Sequence, residues 1–580
     1  MTSSTGWKQA HWVLARSIEA EPSPSDNTFS PRSIGRVHEW MSTCLASHVA
    51  CGIYNTYGKV GGFMLPTRLL YVGTNEQPSV RLMETKGFPE ETHYITLSYC
   101  WGGNVPIKLT TSRLPEYLQN IPFEILPLSF QDAIRITRDL RKQLLWIDAL
   151  CIIQDSDADW LAEASSMGRI YMNGLVNLAA VASTNSQEGL IRRRDPPKTG
   201  AITVRTSWTD LPSPLPLSGD WFISESASDA WDRFVEGDVR YDDNFAPLQS
   251  RGWVLQERLL SPRTVFFSEQ QLFWECCTTS SSELWSDEAF HREIEKSNKV
   301  GRIKTPGPID RATAAFLKAW YNIVEMYASC NLTMARDKLV AVSGIAEIMA
   351  TLWDRKKEDY IAGLWREDIL MQLLWNQNKS DSAGFWHWPG EYRAPSWSWA
   401  SLDSFYQWSW IRLCFNRDEY EELAHVEEIK VIPVADQLGP VKGGFIRMEA
   451  PMCRMMWIGP RTERPHISKD GNWIFEGQPF EDHDLVWSSS GEIFLDGDPE
   501  VASGTIFYVT GLLNAIVYDE IGGLVLQPTG AVPGQYRRCG MYSLVLPQGR
   551  RAIENGFGLQ TLLPHEYETK NDGRYLITIV

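Results

Sequence analysis

The stretch Leu144-Leu-Trp-Ile-Asp-Ala-Leu-Cys-Ile-Ile153 is apolar at nine of its ten positions. A strand of a parallel sheet has this composition when helices cover both of its faces. Two β-rich runs, residues 94–99 and 175–182, flank it in the chain, and helical patterns separate the three. Strands that alternate with helices predict right-handed crossovers and an open parallel sheet. We therefore predict an α/β fold for this part of the chain.

The neighbouring segments support the same prediction. Residues 129–140 have a helical apolar pattern that begins at Ser129-Phe-Gln-Asp132, a candidate capping box. Residues 159–172 have a second helical pattern. Residues 264–267 and 271–276 are predicted to pair as a hairpin.

The chain is long enough for several structural units. At about 150 residues per domain, its 580 residues correspond to two to four units. The patterning predicts a helical N-terminal lead-in over residues 1–90, the α/β core over residues 91–280, a helical region over residues 281–400 and a β-rich region over residues 401–580. Residues 190–250, rich in Pro, Ser and Asp, are predicted to be a long loop or an insertion.

Composition and charge argue against several classes of protein. The chain has 72 Asp and Glu against 55 Lys and Arg, a formal charge of −17, and so acidic a surface repels nucleic-acid backbones. The N-terminus lacks the pattern of a signal peptide, and no apolar run approaches the roughly 20 residues of a membrane span. The ten cysteines are then expected to be reduced. We expect a cytoplasmic protein that neither binds nucleic acid nor spans a membrane.

The aromatic content is high, with 25 Trp, 20 Tyr and 22 Phe. Aromatic rings bury large areas, so the count favours a rigid, ring-rich core. The alternative is an aromatic pocket for a small molecule, as in a pathway enzyme of the cyclase kind.

Polar residues follow the first two predicted strands. Ser98 and Trp101 lie at the end of the first, and Asp148 and Gln154 at the end of the second. Ligands of open α/β sheets bind outside the carboxyl ends of the strands, which makes Ser98, Trp101 and Gln154 candidates for ligand binding and Asp148 a candidate for catalysis. A carboxylate in an apolar run needs partners, and the alternative for Asp148 is a structural cap on nearby backbone N–H groups.

Glu163 is the second candidate catalytic carboxylate. At 100° per residue it lies at the edge of the apolar stripe of its helix, beside Met167 and Ile170. A glutamate held against apolar groups has a raised pKa and suits acid–base or oxocarbenium-stabilising chemistry. The alternative is a helix-dipole role or an ion pair with a residue such as Arg169.

Arg251 has two interpretations. Its guanidinium can bind a phosphate or carboxylate bidentately, which makes it a candidate for ligand binding. In the favoured interpretation, Arg251 and Glu257 fasten the predicted hairpin to the sheet through buried pairs.

The sequence Cys44-x3-His48-x2-Cys51 supplies three metal-type ligands. A structural zinc site uses four, so His38 or a residue elsewhere in the chain would have to complete the set. We therefore assign no metal ligand and no resident cofactor.

Five blocks, in this order, carry a resemblance to a known family: Leu97-Ser-Tyr-Cys-Trp-Gly102, Leu145-Trp-Ile-Asp-Ala-Leu-Cys-Ile-Ile-Gln154, Met167-Gly-Arg-Ile-Tyr171, Arg251-Gly-Trp-Val-Leu-Gln-Glu-Arg-Leu-Leu260 and Leu272-Phe-Trp-Glu-Cys276. They resemble the HET domain of fungal heterokaryon incompatibility proteins. Blocks such as Leu65-Pro-Thr-Arg-Leu-Leu70 and Pro395-Ser-Trp-Ser-Trp-Ala400 extend the resemblance over most of the chain. Ile153 departs from the family, which more often has Asn before the Gln.

The resemblance implies a fungal protein of the nonself-recognition type, with a HET domain over residues 91–280 that triggers programmed cell death. It also implies a core related to TIR domains, self-association through the HET domain and activation by another, unknown protein.

Because some TIR domains cleave NAD with a glutamate, the resemblance also implies an alternative function. In that alternative the chain is a hydrolase of NAD(P) or a related nucleotide, and NAD is its substrate. The spacing Trp160-x-x-Glu163 is similar to a tryptophan and glutamate of TIR domains. The TIR glutamate follows the third strand, however, where this chain has Glu188. Both glutamates remain candidates, and whether the chain is an enzyme stays open.

Overall fold

The computed structural model consists of two compact units, Met1–Ile309 and Asp310–Val580. The residues that it describes are 12–15, 25–52, 64–103, 105–195, 202–207, 218–225, 227–236, 246–285, 287, 290, 313–377, 391–403, 406–407, 419–434, 436–458, 472–475, 491–495, 506–516, 520–545, 562–571 and 574–580. Among these residues, no helix combines the length and the apolar composition needed to cross a bilayer.

The first unit mixes helices and strands. Its strands are β1 (Trp12–Ala15), β2 (Arg68–Gly73), β3 (Pro78–Glu84), β4 (Ile95–Ser98), β5 (Leu144–Trp146), β6 (Val176–Ala179), β7 (Ile202–Ser207), β8 (Ser218–Glu225), β9 (Arg263–Phe267), β10 (Leu272–Cys276) and β11 (Ser280–Ser282). Its helices are α1 (Pro31–Ser47), α2 (Leu114–Tyr117), α3 (Leu128–Asp139), α4 (Asp148–Cys151), α5 (Asp157–Asn173), α6 (Ala227–Trp231) and α7 (Gly252–Leu260).

Eight of these strands form one sheet in the order β11-β10-β9-β6-β4-β5-β2-β3. The four central strands, β9, β6, β4 and β5, run parallel. Counted from β4 along the chain, their order is second, first, third, fourth, which is the order of flavodoxin-type doubly wound sheets. The α/β class is therefore confirmed. β4 and β6 lie within the predicted strands at residues 94–99 and 175–182.

Antiparallel strands complete both edges, so the sheet is mixed rather than purely parallel. β10 pairs with β9 and β11, which confirms the predicted hairpin. At the other edge β2 pairs with β5 and β3. The hairpin of β2 and β3 lies within residues 1–90, where the sequence predicted a helical lead-in. β2 was missed because its short, almost wholly buried run lacks the alternation by which a strand is recognised.

The predicted strand over residues 144–153 is wrong beyond Trp146. β5 has three residues, and the chain then turns into the helix α4, whose first residue is Asp148. An acidic side chain is favourable in the first turn of a helix, because it accepts from free backbone N–H groups there. Strand and helical turn are both buried, so the apolar pattern alone does not distinguish them.

The two helices that cross over the sheet pack as their periodicity predicts. The apolar face predicted for α3 is buried at Phe130, Ala133, Ile134, Thr137 and Leu140. The chain runs from β4 to β5 on one side and from β5 back across β4 to β6, so right-handed crossovers put α3 and α5 on opposite faces.

The predicted capping box at the start of α3 is wrong. The N-cap residue is Pro127, one position before the helix, so Ser129 is already helical. Asp132 instead accepts from the backbone N–H groups of Leu190 (3.0 Å) and Ile191 (3.1 Å) in the loop after β6. A capping box is read from local sequence alone, whereas this carboxylate is used by a segment 58 residues away.

Residues 190–250, predicted as a long loop or an insertion, contain regular structure. β7 and β8 pair as an antiparallel hairpin, and β8 also pairs with β1. Together they form a separate three-stranded sheet of the first unit.

The second unit has its helices first and its long strands afterwards. Its helices are α8 (Thr313–Ala328), α9 (Val340–Leu352) and α10 (Ile369–Gln372). Its strands are β12 (Tyr360–Ile361), β13 (Leu364–Trp365), β14 (Asn376–Gln377), β15 (Tyr406–Gln407), β16 (Tyr420–Glu422), β17 (His425–Pro433), β18 (Val441–Ala450), β19 (Met452–Ile458), β20 (Asn472–Phe475), β21 (Gly491–Leu495), β22 (Ile506–Ala515), β23 (Glu520–Pro528), β24 (Gln535–Val545), β25 (Thr569–Asn571) and β26 (Arg574–Ile579). Strands β16–β26 form one sheet of 11 strands, mostly antiparallel.

Tryptophans form much of both cores. Eight of the largest fully buried side chains are tryptophans: Trp146, Trp231, Trp274, Trp320, Trp365, Trp375, Trp397 and Trp399. In the second unit Trp320 and Trp365 pack edge to face with centroids 5.8 Å apart, and each also packs against Tyr360. Edge-to-face packing adds to the free energy gained by burial. These contacts support a ring-rich core as the explanation of the high tryptophan content.

A buried ion pair joins three parts of the first unit. Arg194, in the loop after β6, donates to both carboxylate oxygens of Glu283, at 3.0 and 2.6 Å. Glu283, which follows β11, also accepts from the hydroxyl of Ser33 in α1 (2.7 Å) and from the backbone N–H of Leu272 in β10 (3.1 Å). Both charged side chains are almost fully shielded from solvent.

We predict that Glu283→Gln lowers the free energy of unfolding by about 3–5 kcal/mol, because it leaves the Arg194 charge buried without a counter-charge. Urea-induced unfolding of the full-length chain, followed by tryptophan fluorescence, measures the change. The matched control is Glu39→Gln, which removes an exposed ion pair with Arg36 (3.2 Å) and should cost less than about 1 kcal/mol. Equal effects of the two substitutions would contradict the structural role of Glu283.

Candidate functional site

The carboxyl ends of β4 and β6 form the topological switch point of the sheet. The connection from β4 leaves toward β5, whereas the connection from β6 leaves toward β9, so a crevice opens between the two strand ends. The loops that follow these strands touch each other. Gly102 has a φ of +70°, and a Cβ added there would overlap the side chain of Asn185. The glycine therefore permits both the turn and the close approach.

Asp148 lies at this crevice and is surrounded by hydrogen-bond donors. Its Oδ1 accepts from the Tyr99 hydroxyl (2.9 Å) and the Ala149 backbone N–H (2.6 Å), and its Oδ2 accepts from Trp101 Nε1 (2.8 Å). Burial raises the pKa of Asp148, although the Trp101 hydrogen bond and the charge of Arg251 act to lower it. The carboxylate thus fixes the loop after β4, and the bond to Ala149 supports the structural alternative as well.

Glu257 is the least satisfied carboxyl group at the crevice. It lies on α7 and is 7% exposed. Burial raises its pKa to about 7, and the nearby Ser98 hydroxyl and the charge of Arg251 only partly offset that effect. Its Oε2 atom has no hydrogen-bond partner among the described residues.

The two hydroxyls beside Glu257 have other acceptors. Tyr171 donates to the backbone carbonyl of Leu97 (3.1 Å), and Ser98 donates to Asn177 Oδ1 (3.2 Å). A carboxyl group that titrates near neutral pH and retains an unused oxygen is suited to stabilising a developing positive charge or to moving a proton.

Arg251 supplies the positive charge of the site. Its NH1 donates to the backbone carbonyl of Tyr99, so it holds the loop after β4 at the crevice. Its charge partly offsets the rise in pKa that burial causes at Asp148 and Glu257. These residues form the strand-end cluster: Ser98, Tyr99, Trp101, Asp148, Tyr171, Arg251 and Glu257.

Glu163 has a separate set of partners. It is 4% exposed, and its Oε1 accepts from the hydroxyl and the backbone N–H of Thr67. Burial raises its pKa against the hydrogen bond from Thr67 and the charge of Arg68. Arg68 itself pairs with Asp159 at 2.5 Å. Like Glu257, Glu163 has an Oε2 atom without a hydrogen-bond partner among the described residues. The raised pKa agrees with the prediction for Glu163, but its hydrogen-bond partner Thr67 lies outside the strand-end cluster.

Glu188 lies in the loop after β6, at the rim of the crevice. Its carboxylate accepts from the Thr184 backbone N–H (2.9 Å) and Asn185 Nδ2 (2.9 Å), and it pairs with Arg192 at 3.5 Å. Partial burial acts to raise its pKa, but the hydrogen bonds from Thr184 and the charge of Arg192 outweigh it and lower the pKa. Glu188 therefore supports the conformation of its own loop.

Gln154 does not join the cluster. Its Nε2 donates to the backbone carbonyls of Asp148 (3.2 Å) and Ile152 (3.1 Å), so the side chain closes the turn after α4. Of the four residues predicted to bind a ligand, the structure brings Ser98, Trp101 and Arg251 to the crevice and leaves Gln154 beside it.

The predicted role of Arg251 and Glu257 in fastening the hairpin belongs to a different pair. Arg258 lies next to Glu257 on α7, and its Nε pairs with Glu275 of β10 at 3.2 Å. Arg258 also donates to the backbone carbonyl of Val235 at 3.2 Å. Because adjacent residues of a helix point in different directions, one residue faces the hairpin and the other the crevice.

Sequence reasoning did not assign Tyr99, Tyr171 or Glu257 to the site. The available signal for Glu257 was a carboxylate in the polar segment Gln256-Glu257-Arg258, which interrupts the apolar residues of α7. No comparable signal marks the tyrosines. The hydroxyl of Tyr99 donates to Asp148 and that of Tyr171 to the Leu97 carbonyl, and both contacts depend on the folded structure.

A described cleft lies away from the strand-end cluster. An open cleft of about 680 Å³ is lined by residues that include Gly73, His93, Arg138, Lys142 and Leu144. Leu144 begins β5 and Gly73 ends the antiparallel strand β2, so this cleft is at the opposite end of the strands from the crevice. The strand-end cluster is distinguished by its buried charges rather than by the volume of its opening.

Comparison with known proteins identifies the region that holds this cluster. Residues 94–257 match the model of the family described as Heterokaryon incompatibility protein (HET). Searches of curated proteins and of solved structures gave no match. The matched range begins one residue before β4 and ends at Glu257, so it contains all seven members of the strand-end cluster. The chain therefore contains a region, residues 94–257, that matches the heterokaryon incompatibility (HET) family.

Proposed function

We propose that this protein acts in fungal heterokaryon incompatibility, as a cytoplasmic effector of cell death after nonself recognition. The observation that carries the proposal is the family match over residues 94–257. That range includes three central strands of the sheet and the strand-end cluster. The sequence that matches the family therefore contains the buried charged residues of the candidate site. In this proposal the HET domain becomes active when chains self-associate, and another protein supplies the trigger.

Induced expression of the full-length chain in a filamentous fungus is predicted to arrest growth and admit a vital dye. Asp148→Asn should abolish the response, because it weakens the acceptor that holds Tyr99 and Trp101. The matched control is Glu116→Gln, an exposed carboxylate of α2, which should leave the response unchanged. Normal growth with an accumulated, folded wild-type protein would refute the effector function.

A second function, hydrolysis of NAD or a related nucleotide by a TIR-like core, is favoured by the state of Glu257. The parallel order of β5, β4, β6 and β9 supports a TIR-like core. Glu257 combines a pKa of about 7 with an unused oxygen, at the edge of the sheet where doubly wound folds bind ligands. Arg251 supplies a positive charge for a phosphate, and Trp101 a ring for a base.

In this reaction Glu257 would stabilise a positively charged sugar. When the bond between ribose C1′ and the nicotinamide nitrogen breaks, its electron pair leaves with nicotinamide. The ionised carboxylate stabilises the oxocarbenium ion that remains, as in glycoside hydrolysis. Water then adds to C1′ and loses a proton, which gives ADP-ribose, nicotinamide and one proton.

Under this proposal Glu257→Gln should reduce NAD turnover by about 100-fold or more, because the amide cannot supply the negative charge. Turnover in the wild-type protein should rise with pH through about 7, as Glu257 ionises. Nicotinamide release by purified protein, dilute and concentrated to promote self-association, measures both effects. Glu163→Gln and Glu188→Gln are the comparisons, because the sequence favours these two glutamates.

Loss of turnover only in Glu163→Gln or Glu188→Gln would transfer the role to that residue. Absence of turnover in every condition would refute the hydrolase function. It would leave the effector function standing, because the fungal assay measures cell death independently of NAD.

The raised pKa of Glu257 also predicts how stability depends on pH. Between the ordinary glutamate pKa of 4.5 and about 7, the folded protein binds this proton more tightly than the unfolded chain, so stability falls as pH rises through that range. Glu257→Gln removes the effect. We expect the variant to gain on the order of 3 kcal/mol relative to wild type between pH 5 and pH 8.

Urea-induced unfolding at the two pH values measures this gain. The control is Glu188→Gln, for which the sign reverses. Because the pKa of Glu188 is lowered, its ionised form stabilises the folded protein above the ordinary glutamate pKa, and the variant should gain nothing at pH 8. A wild-type protein whose stability relative to Glu257→Gln is the same at pH 5 and pH 8 would contradict the assigned pKa.

A further inference from the structure

We propose that Cys44, His48, Cys51 and Cys276 form a structural zinc site. One ligand atom from each residue lies within 4.8 Å of all the others. The sequence supplied the first three as a group and left the fourth open. The fold provides it as Cys276, which is 225 residues from Cys51 in the chain and outside the range matched to the HET family.

The spacing of these atoms fits a tetrahedral zinc ion. With Zn–S bonds of about 2.3 Å and Zn–N bonds of about 2.0–2.1 Å, ligands in a tetrahedron are about 3.8 Å apart for two sulfurs and about 3.6 Å apart for sulfur and nitrogen. The distance between Cys276 Sγ and His48 Nδ1 is 3.4 Å. Small adjustments of side chains are enough to bring all four atoms into the first coordination shell.

Three of the ligands lie close together in the chain, on both sides of the end of α1. Cys44 lies in the last turn of α1, and His48 is the residue that ends this helix. The chain continues in a helical turn, with the Cys51 N–H donating to the His48 carbonyl at 3.1 Å. The backbone of His48 is not helical (φ −87°, ψ 88°), so the fold at this helix end, rather than helical spacing alone, brings the three side chains together. Cys276 is the last residue of β10, so the site joins the end of α1 to the sheet.

Arg263 gives the strongest argument for a charged metal centre. Its side chain is 2% exposed, and its Nε donates to Cys44 Sγ at 3.1 Å. Its other described hydrogen bond goes to the backbone carbonyl of Leu175 at 3.3 Å, and no carboxylate pairs with it among the described residues. Zinc with three thiolates and a neutral histidine carries one net negative charge, which is the counter-charge that a buried arginine requires.

Other donors surround the sulfurs as they do at zinc–thiolate centres. The Thr279 backbone N–H donates to Cys276 Sγ at 3.4 Å, and the Thr278 hydroxyl lies 3.7 Å from Cys51 Sγ. Such outer contacts orient the ligands and stabilise negative charge on sulfur. Three soft sulfurs and one imidazole select zinc over calcium or magnesium, and a closed set of four protein ligands indicates a structural rather than a catalytic site.

The test is metal analysis of the full-length protein purified without added metal or chelator. We expect about one zinc ion per chain. Cys276→Ser should lose most of this zinc. The matched control is Cys277→Ser, because Cys277 is equally buried but its Sγ contacts the Pro262 carbonyl (3.8 Å) and lies outside the group of four. His48→Gln should lose zinc, whereas His38→Gln, on the exposed side of α1, should retain it.

Replacement of zinc by cobalt gives a readout that does not depend on stability. Cobalt bound by three thiolates and one histidine should show visible bands of tetrahedral geometry and ultraviolet sulfur-to-metal charge-transfer bands. In Cys44→Ser or Cys51→Ser with excess cobalt, loss of one of the three thiolates should reduce the charge-transfer intensity per bound ion by about a third. Removal of the metal with a chelator should lower the midpoint of thermal unfolding, and zinc should restore it.

Three results would overturn the proposal. The first is protein that is folded, metal-free and indifferent to added zinc. The second is a Cys276→Ser variant that keeps a full equivalent of zinc. The third is a denatured chain with two fewer free thiols than its ten cysteines provide, which would indicate a disulfide within the group.

Discussion

Charged groups buried inside the first unit need counter-charges there, and this requirement governs how its elements are joined. An unpaired charge in the interior costs several kcal/mol, so each buried arginine fixes the position of a distant partner. Arg194 joins the loop after β6 to Glu283, which follows β11. Arg258 joins α7 to Glu275 of β10. These pairs hold the sheet to the segments that pack on it. They also make the unit intolerant of removing either partner alone.

In the described part of the same unit, some buried charged groups are not completed by protein partners alone, among them Arg263, Glu257 and Glu163, whose Oε2 is also unused. Arg263 has a thiol and a backbone carbonyl as its described acceptors, and Glu257 has an unused carboxylate oxygen. A metal centre that keeps Cys44 ionised completes the environment of Arg263. No group in the described part of the chain supplies the interaction that Glu257 lacks, and its pKa is raised because its ionised form is buried. A group that reduces stability in this way is typical of a functional site, where a ligand supplies the missing interaction.

The sequence predicts those parts of the molecule that depend on local pattern. The helices α3 and α5 and the strands β4 and β6 follow from apolar periodicity, because burial of one face requires it. Asp148 is found because a carboxylate interrupts an apolar run. Cys276 could not be found in this way, since its role as fourth ligand depends on where β10 lies beside α1. Glu257 was noticed but given a structural role, because the sequence does not show which of two adjacent helical residues faces the crevice.

The limits of the family match do not coincide with the limits of the folded unit. Residues 94–257 supply only β4, β5 and β6 of the eight-stranded sheet. The edges of this part pair with β9 on one side and β2 on the other, and both strands lie outside the matched range.

The helix α1, also outside the matched range, is attached to the β10–β11 region at both of its ends. Ser33 near its start donates to Glu283, and Cys44 in its last turn lies beside Cys276. Between these points Trp40 stacks on Trp274 at 6.2 Å. A chain cut at the ends of the match would expose two sheet edges and the surface that α1 covers. The strand-end cluster therefore depends on flanking segments that the family pattern does not include, and the smallest unit able to hold it begins before α1 and continues beyond Glu283.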